Sequence, residues 1–374
     1  MQYRPKLLRI ITWLPVGGIE KRLVRVLSLL RDKYDITVCC IRDKQGAYEN
    51  DLRDIGIRVV KIHMKSRLDP VGLYRLYKFM KNEKFDIVHT HMYRSNTPGR
   101  IAAKFAGIPV IIANLHNIDT WKRRKHFLID RMLSRCTDKI IAVSDAVRKF
   151  NIKNSGIYPD KFVTIYNGID IEEFNKDFDY QAKREEIGIR EDELLVGIFA
   201  RLYPQKGHKY FLEAASKING IIDNVKFMIV GDGPLESELK EQAMQLGIRG
   251  KVIFTGLRHD IPELLHIIDV SVLSSFIEGF SNIILESMAS GKPVVATDVG
   301  GNREAVIDEG TGFIIPPANS DKLTNAIIKI LDNKQLRIDM GRKAREHVRK
   351  FSIQKMAHQT DMLYKTCLAK KRII

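Results

Sequence analysis

The chain has 374 residues, which is long for one domain and sufficient for two domains that each bury a core. Hydrophobic residues make up 44% and charged residues 29%, an ordinary globular composition that excludes a disordered chain. Lysine and arginine total 62 against 45 acidic residues, and the resulting net charge of +17 favours polyanions or an anionic membrane face as partners.

The amino-terminal stretch has a basic flank and a short apolar run, so a signal peptide is the alternative to a first β-strand. Pro15, Gly17 and Gly18 interrupt the run, charged residues follow, and no small-x-small cleavage site is present, which favours a strand and a glycine loop. Adjacent Cys39 and Cys40 would face opposite sides of a strand and make a poor disulfide framework. No apolar run approaches the ~18 residues of a membrane span. We therefore expect a cytoplasmic protein.

Short apolar runs alternate with amphipathic helical stretches through the first half of the chain. Strands separated by helix-length segments indicate βαβ units and a parallel sheet, so we expect a doubly wound, Rossmann-like domain over residues 1–174. The predicted strands are residues 8–13, 35–41, 58–62, 87–91, 110–114, 139–143 and 162–166.

After a charged stretch near residues 170–189 the same pattern starts again, which predicts a second Rossmann-like domain over residues 190–352. In open α/β sheets ligands gather at the carboxyl ends of the strands, so the expected active site lies in the cleft between the two domains. The predicted strands of the second domain are residues 194–200, 225–230, 252–255, 270–273, 293–297 and 312–315.

The segment DIVHTHMYRSN ends one strand of the first domain with His89 and His91. Residues two apart in a strand point to the same side, so an H-x-H metal pair is one interpretation. No third ligand stands at a suitable spacing, and a structural histidine at the sheet edge is a second interpretation. The third is a histidine of an active site.

The most informative segment, residues 278–306, reads EGFSNIILESMASGKPVVATDVGGNREAV. Glu278 and Glu286 flank a predicted turn and the start of a helix, where backbone N–H groups and the helix dipole suit a diphosphate. Glu286, about one turn into the helix, would accept hydrogen bonds from ribose hydroxyls, and Glu278 would reach the hydroxyls of a sugar beyond the phosphates. A nucleotide sugar requires this order of contacts.

This string resembles the retaining glycosyltransferases of family 4, also called group 1. The match includes the E-x7-E element, the MASGKPVVATDVGG segment and the preceding PELLHIIDVSVLSS run. The resemblance implies an α/β protein of the GT-B fold, with two doubly wound Rossmann-like domains facing across a cleft and the nucleotide-sugar donor on the second. The donor-binding residues that it implies in this segment are Glu278, Gly279, Phe280, Ser281, Asn282 and Glu286.

Other segments match the same family. Arg201 and Lys206, in FARLYPQKGH, place two cations at a strand end, where the resemblance implies that they neutralise the leaving diphosphate. Gly17 and Gly18 match the first loop of the family, which lets the backbone approach the donor. Arg258 occupies a loop that commonly abuts the nucleotide base.

The resemblance also assigns residues of the first domain. His91 aligns with the active-site histidine that faces the transferred sugar and the acceptor, and Asn96, His116 and Asn117 are expected on the acceptor side. In the family the last helix returns to the first domain, and we expect residues 353–374 to do the same.

A metal is not expected. Asp177 and Asp179 form the Asp-x-Asp pattern with which glycosyltransferases of a different fold hold a divalent cation, but they lie in the charged linker and are interpreted as a solvated pair. The charge of the donor would then be met by Arg201, Lys206 and helix amides, with the nucleotide sugar as co-substrate and no cofactor.

The family is retaining, and no carboxylate is expected beneath the anomeric carbon to act as a nucleophile. The simplest mechanism is a same-face reaction, in which the departing diphosphate takes the acceptor's proton while Arg201 and Lys206 stabilise its charge. His91 would orient the sugar or the acceptor. With Glu278 on the sugar hydroxyls, these four residues form the predicted catalytic set.

The predicted function is transfer of a hexosyl unit from a nucleotide-diphosphate sugar to a glycan or lipid-linked acceptor, in the synthesis of a cell-surface polysaccharide or glycolipid. A UDP-sugar is favoured as the donor, with GDP-mannose as the other candidate. The alternatives are a GT-B nucleotide-sugar epimerase, a transferase with a small soluble acceptor and a non-catalytic binder. Nucleic acid is not an expected partner, because no RNP aromatic motif, zinc finger or helix-turn-helix signature is evident.

An anionic membrane surface is a further expected partner, at the inner face of the cell membrane. The argument is electrostatic: Arg94, Arg100, Lys104 and residues 122–125 are basic, and together with Trp121 they belong to the first domain. The alternative is a basic surface that only keeps the protein soluble.

Overall fold

The computed structural model describes residues 3–15 and 17–373, and the chain divides into two compact units. Unit 1 is Met1–Gly168 with Ile353–Ile374, and unit 2 is Ile169–Ser352. The division falls earlier than the expected residue 174, because the residues after Gly168 bond within unit 2. Ile169 N–H donates to the Phe351 carbonyl at 2.9 Å, and His266 Nε2 donates to the Phe174 carbonyl at 2.8 Å.

Unit 1 is built on a seven-stranded parallel sheet in the order β3-β2-β1-β4-β5-β6-β7. All seven strands were predicted from the sequence, with ends that differ by up to two residues. They are β1 Lys6–Ile11, β2 Asp35–Cys40, β3 Arg58–Lys61, β4 Ile87–His91, β5 Val110–Leu115, β6 Lys139–Ala142 and β7 Phe162–Thr164.

Seven helices in the described part of unit 1 cover the two faces of this sheet. One group of buried residues includes Leu7 and Ile11 of β1 and the other includes Leu8 and Ile10, so successive side chains enter cores on opposite sides. The helices are α1 Gly18–Leu30, α2 Glu49–Asp54, α3 Pro70–Glu83, α4 Met92–Ala106, α5 Arg124–Ser134, α6 Asp145–Ser155 and, at the far end of the chain, α15 Ile353–Lys370.

The last helix, α15, packs on α1 within unit 1. Tyr364 and Leu368 of α15 are fully buried in the same core as Leu7 and Leu27. The buried Asp361 of the same helix accepts a hydrogen bond from Tyr34 Oη at 2.8 Å and forms an ion pair with Lys33 at 2.7 Å. Both apolar and polar contacts therefore hold the end of the chain on the first unit.

Unit 2 contains a six-stranded parallel sheet in the order β10-β9-β8-β11-β12-β13. Its order reverses between β8 and β11, the point at which open α/β sheets bind ligands. The strands, all predicted, are β8 Leu194–Phe199, β9 Val225–Val230, β10 Val252–Gly256, β11 Val270–Leu273, β12 Val294–Thr297 and β13 Gly312–Ile315.

Helices flank the second sheet as they flank the first, and the doubly wound α/β prediction is confirmed. They are α7 Tyr180–Ile187, α8 His208–Asn219, α9 Glu236–Gln245, α10 Ile261–Ile267, α11 Asn282–Ala289, α12 Asn302–Ala305, α13 Ser320–Leu331 and α14 Lys334–His347. No helix within residues 3–15 and 17–373 is both long and apolar enough to cross a membrane.

A buried ion cluster ties α4 to α5 in unit 1. Arg100 is 2% exposed, and its Nη2 pairs with Asp130 Oδ1 at 2.5 Å. Lys122 Nζ pairs with the other oxygen of Asp130 at 3.2 Å and with Asp119 at the same distance. Burial by itself would raise the pKa of Asp130, but the charges and hydrogen bonds of Arg100 and Lys122 lower that pKa below its ordinary value.

Asp130→Asn should destabilise unit 1 by about 3 kcal/mol, because it leaves the buried Arg100 guanidinium without its counter-charge. Both tryptophans of the chain, Trp13 and Trp121, lie in unit 1, so urea unfolding followed by tryptophan fluorescence reports on this unit. Since the folded pKa of Asp130 is depressed, the difference from wild type should be complete at pH 7. It should shrink as the pH falls below about 4 and through the folded pKa.

The matched control is Glu83→Gln, which removes the carboxylate of a more exposed pair with Arg58 at 2.9 Å in the same unit. Exposed pairs contribute about 0–1 kcal/mol, so this variant should unfold close to wild type. Equal effects of the two substitutions would mean that the buried cluster has no special part in stability.

Candidate active site

The loops that follow β8 and β11 bring two of the predicted catalytic residues together. Lys206, at the end of a 3-10 turn, pairs through Nζ with Glu278 Oε1 at 2.6 Å. The same oxygen accepts a hydrogen bond from Ser275 Oγ at 2.7 Å. Among the described residues Oε2 of Glu278 accepts no hydrogen bond, so this oxygen is available for a hydroxyl donor. Both side chains are less than one-fifth exposed.

Two glycines allow the backbones of these loops to approach closely. Gly207 has φ +66°, and a Cβ on it would overlap the Ser274 carbonyl oxygen. Gly300, with φ +56°, would in the same way overlap the carbonyl oxygen of Glu278. The positive φ and the lack of space both require glycine, so the loops after β8, β11 and β12 pack directly against one another.

The E-x7-E segment forms the turn and helix that the sequence predicted. Gly279 accepts a backbone hydrogen bond from Gly301 N–H at 3.0 Å, which ties this turn to the loop after β12. The ring of Phe280 is buried, with its centre 5.2 Å from the centre of the Phe351 ring. Any contact of Phe280 with a nucleotide-sugar donor would therefore be made by its backbone. Ser281 precedes α11 as its N-cap residue.

The remaining two residues of this segment lie at the start of α11. Asn282 is its first residue, and Glu286 lies one turn further and is partly buried. This is the position at which a carboxylate would accept hydrogen bonds from hydroxyl groups near the helix start. Its proposed contact with ribose stays a prediction.

The two predicted donor-binding arginines differ in their surroundings. Arg201 is exposed, and its guanidinium lies 5.3 Å from the centre of the Tyr203 ring. Arg258 instead pairs with Asp260 at 2.5 Å and with Glu186 of α7 at 2.6 Å. A base contact by Arg258 would have to compete with two carboxylates, whereas Arg201 has no carboxylate partner among the described residues.

In unit 1 the glycine loop leads directly into a helix. Gly17 is the N-cap residue of α1, Gly18 is its first residue, and Gly17 accepts from Lys21 N–H at 3.0 Å. A Cβ at Gly17 would contact the carboxylate of Glu20. The loop is thus shaped by the buried Glu20 side chain, and its approach to a donor stays a prediction.

The carboxyl end of β4 carries His91, which is 3% exposed. Its Nδ1 lies 3.1 Å from His116 Nε2 at the end of β5. Burial, and next the charge of Arg9, lowers the pKa of His91 well below its ordinary value. Burial, followed by the charges of Arg22 and Arg9, lowers the pKa of His116 to about 3. Both imidazoles are therefore neutral at pH 7.

The other two residues predicted on the acceptor side lie in different environments. Asn117 is exposed immediately after His116. Asn96 is 1% exposed, accepts from Thr90 Oγ1 at 2.6 Å and donates to the Asn114 carbonyl at 3.0 Å. Asn96 therefore connects β4, α4 and β5, and its contact with an acceptor stays a prediction.

Within the described residues no three or more His, Cys, Asp or Glu side chains form a group suited to a metal ion. His89 Nδ1 is 2.6 Å from Tyr364 Oη, so the H-x-H pair is part of a hydrogen-bonded cluster. Asp179 caps α7 by accepting from Ala182 N–H at 2.9 Å. The neighbouring Asp177 is exposed.

Beside the predicted site residues the structure contains further polar residues to which the sequence assigned no role. Ser274 Oγ donates to the carbonyls of Lys206 and Gly207, both at 3.1 Å, and Ser275 holds Glu278. Both serines are buried at the end of β11; the sequence signals for them were their place directly after a predicted strand and at the end of the PELLHIIDVSVLSS run. In unit 1, Arg9 and Tyr364 were missed because they are distant in sequence from the histidines.

Comparison with known proteins places this chain in a family. The model of glycosyl transferases group 1 matches residues 179–347, and the model of glycosyltransferase family 4 matches residues 16–173. The chain is 31% identical over 365 residues to the UDP-Gal:alpha-D-GlcNAc-diphosphoundecaprenol alpha-1,3-galactosyltransferase of Escherichia coli, covering 93% of this chain and 94% of that protein. The chain therefore belongs to the family 4, or group 1, glycosyltransferases.

Two further comparisons agree with this assignment. A Campylobacter jejuni N,N'-diacetylbacillosaminyl-diphospho-undecaprenol alpha-1,3-N-acetylgalactosaminyltransferase is 26% identical over 359 residues, or 91% of this chain and 93% of that protein. The crystal structure of Anabaena HepE in complex with UDP has a TM-score of 0.87 and 25% identity, covering 96% of this chain and all of the other. The fold is GT-B, the protein is a glycosyltransferase, and the epimerase alternative is not supported.

Lys206→Ala should lower kcat by about 10²-fold, the effect of removing one preorganised group that stabilises developing charge. Glu286→Ala should instead weaken donor binding by about 1.5–3 kcal/mol, because hydrogen bonds to a charged group are lost. Steady-state kinetics and calorimetric titration with the nucleoside diphosphate separate the two effects.

Lys209→Ala is the control for Lys206→Ala, since it removes the same charge from an exposed position at the start of α8. It should retain near-wild-type turnover. Normal activity in both the Lys206 and the Glu286 variants would exclude these residues from the donor site.

Proposed function

We propose that this enzyme transfers a hexosyl unit, with retention of configuration, from a UDP-sugar to a lipid-linked diphosphate-sugar acceptor in the synthesis of a cell-surface glycan. The observation that carries the proposal is the similarity, over more than nine-tenths of both chains, to two transferases whose names give diphosphoundecaprenol-linked acceptors. The uridine preference rests on the UDP-Gal donor named for the Escherichia coli relative and on the UDP bound by Anabaena HepE.

The paired side chains of unit 2 suggest how the donor is held. Lys206 would exchange part of its contact with Glu278 for an oxygen of the diphosphate, and Arg201 would add a second cation. Glu278 Oε2 would accept from a hydroxyl of the sugar, while Oε1 keeps its bond to Ser275. Both proposed contacts can form while the loops that carry Lys206 and Glu278 stay in their present positions.

The reaction that these groups support is a same-face substitution. The bond from the anomeric carbon to the diphosphate oxygen breaks, the acceptor oxygen bonds to the same face of that carbon, and the acceptor's proton passes to the diphosphate. Lys206 and Arg201 stabilise the charge that develops on the departing diphosphate. His91, neutral at pH 7, is proposed to orient the transferred sugar through a hydrogen bond rather than to accept a proton.

A donor panel tests this proposal most directly. A ligand at 100 times its Kd adds about 2.7 kcal/mol to the stability of the folded protein, and a weaker ligand at the same concentration adds less. UDP-sugars should therefore raise the melting temperature more than GDP- or ADP-sugars at equal concentration. With a polyprenyl-diphosphate-linked N-acetylglucosamine as acceptor, the stabilising UDP-sugar should give an α-linked product, detected by anomeric NMR couplings. Turnover should persist in excess EDTA, because protein cations are proposed to meet the charge of the diphosphate.

Free N-acetylglucosamine is the matched acceptor control, and it should be a much poorer substrate than the lipid-linked form. Stabilisation by GDP-mannose alone would overturn the uridine assignment. Equal transfer to both acceptors would favour a small soluble acceptor, and loss of activity on chelation with rescue by manganese would overturn metal independence.

A lipid-linked acceptor implies that the enzyme works at a membrane surface, and we propose the inner leaflet. The exposed side of α5, with the turn before it, has the composition of a helix that lies in the plane of an anionic interface. Trp121, Leu128 and Met132 are each more than half exposed. Exposed basic residues accompany them at Arg123, Arg124, Lys125, Arg131 and Arg135.

Two of the residues first expected on this surface are unsuitable. Arg100 and Lys122 are buried in the ion cluster with Asp130, so their charges are neutralised inside unit 1. The expectation that they contribute to membrane binding is therefore wrong. The electrostatic contribution is instead assigned to the exposed basic residues of α5 and its flanks.

Arg124→Gln combined with Arg131→Gln should weaken binding to anionic phosphatidylglycerol vesicles roughly tenfold or more, at about 1 kcal/mol for each basic residue near the surface. Vesicle flotation measures the bound fraction. Wild-type binding should fall steeply with added salt, because the attraction is screened, and should be nearly absent on phosphatidylcholine.

Lys343→Gln combined with Arg349→Gln is the control, since both residues are exposed in unit 2 and the change in net charge is the same. This variant should bind as wild type does. Absence of wild-type binding to anionic vesicles at low salt, or equal losses in the two double variants, would contradict a membrane contact through α5.

A further inference from the structure

A line of buried polar side chains crosses the core of unit 1 between α15 and the end of β4. Arg9 of β1 and His89 of β4 are paired in register, and His91 follows on the same side of the sheet. This is the side that Tyr364 of α15 covers. All four side chains are at most 3% exposed. Burying an arginine, two histidines and a tyrosine is unfavourable unless they bond to one another.

Two hydrogen bonds meet at the hydroxyl of Tyr364. Arg9 Nη1 can only donate, and it donates to Tyr364 Oη at 2.5 Å. The same hydroxyl lies 2.6 Å from His89 Nδ1, so Tyr364 joins Arg9 to His89 through hydrogen bonds. Burial, followed by the charge of Arg9, lowers the pKa of His89 well below its ordinary value, which agrees with a neutral ring.

His89 in turn fixes one face of His91. The two imidazole rings stack with their centres 4.5 Å apart and their planes inclined by 21°. A second contact restrains the edge of the His91 ring, because His116 Nε2 lies 3.1 Å from His91 Nδ1. Within the described part of the chain, His91 Nε2 is buried and has no hydrogen-bond partner. This nitrogen is the one that His91 can offer to a substrate.

The backbone holds His91 as well. Met92, the next residue, has φ +64°, an unusual conformation for a residue other than glycine. Such a conformation persists where the surrounding structure imposes it. The His91 carbonyl also accepts from Ser95 Oγ in the first turn of α4. Ring and backbone of His91 are thus restrained from several directions.

We propose that Tyr364 is a positioning residue for His91, and that the helix α15 sets the orientation of the His91 ring through the hydroxyl of Tyr364 and the ring of His89. Tyr364 fixes the plane of the His89 ring through the hydrogen bond at Nδ1, and His89 supports the ring of His91 by stacking. The inference rests on the proposed function, in which His91 contacts the transferred sugar. It extends that function to a residue that is far from His91 in sequence.

Tyr364→Phe tests the inference, because it keeps the aromatic ring and removes only the hydroxyl. We expect the His89 Nδ1 resonance to shift in histidine-selective ¹⁵N spectra, and the His91 resonances to shift with it. Displacing a reacting group by about 1 Å can reduce the rate about 10²-fold, so kcat should fall at least tenfold. The Kd of UDP should stay at the wild-type value, because UDP lacks the sugar that His91 contacts.

Tyr34→Phe is the matched control. Tyr34 is 2% exposed, packs edge-on against the Tyr364 ring at 5.5 Å, and donates its hydroxyl to Asp361 of the same helix. The Tyr34→Phe variant therefore loses a similar buried hydroxyl contact with α15 and leaves the hydrogen bond between Tyr364 and His89 in place. This variant should leave the histidine resonances and kcat unchanged while lowering the melting temperature by an amount similar to Tyr364→Phe.

The outcomes separate the inference from the function beneath it. Wild-type kcat and unshifted histidine resonances in Tyr364→Phe, or equal losses of kcat in both tyrosine variants, would overturn the positioning role. Full activity in His91→Ala would overturn the role of His91 in the proposed function. Strong loss in His91→Ala with none in Tyr364→Phe would leave the proposed function intact and reject the inference alone.

Discussion

Direct backbone contact between the loops at the carboxyl edge of the second sheet is the constraint on which the candidate donor site depends. Gly207 lies against Ser274 and Gly300 against Glu278, at distances that leave no room for a Cβ. These contacts lock the loop that carries Lys206 to the loop that carries Glu278. A cation and a carboxylate from distant parts of the chain therefore meet at 2.6 Å, although neither lies on an α-helix or a β-strand.

The two units restrain their candidate site residues by different physical means. In unit 2 the Lys206–Glu278 pair is partly exposed, so its charges can be redistributed when a diphosphate approaches. In unit 1 the histidines are buried beside Arg9, which keeps them uncharged. A neutral, stacked imidazole suits the proposed role of orienting a hydroxyl without adding charge, whereas a cation such as Lys206 suits the proposed role of stabilising a leaving group that gains charge.

The excess of basic residues likewise serves two purposes in the folded chain. Arg100 and Lys122 are internal and are matched by Asp130 and Asp119, so their charges are spent on ion pairs inside unit 1. Arg124, Lys125 and Arg131 are exposed on α5 and do contribute to that field. Net charge alone does not distinguish these cases, because it contains no information on which charges are paired and buried.

The sequence by itself determined the class of fold and the family. Alternation of apolar runs with helical stretches located the thirteen strands that the described residues form, because side-chain periodicity is a local property of the chain. The E-x7-E segment and its neighbours identified the glycosyltransferase family, since a turn, a helix start and two carboxylates are specified within one short stretch. Only the tertiary structure showed that Arg258 is held by two carboxylates, that Asn96 is buried, and that Tyr364 bonds to His89. These contacts join residues up to 275 positions apart in the chain, and their partners are set by how strands and helices pack rather than by local pattern.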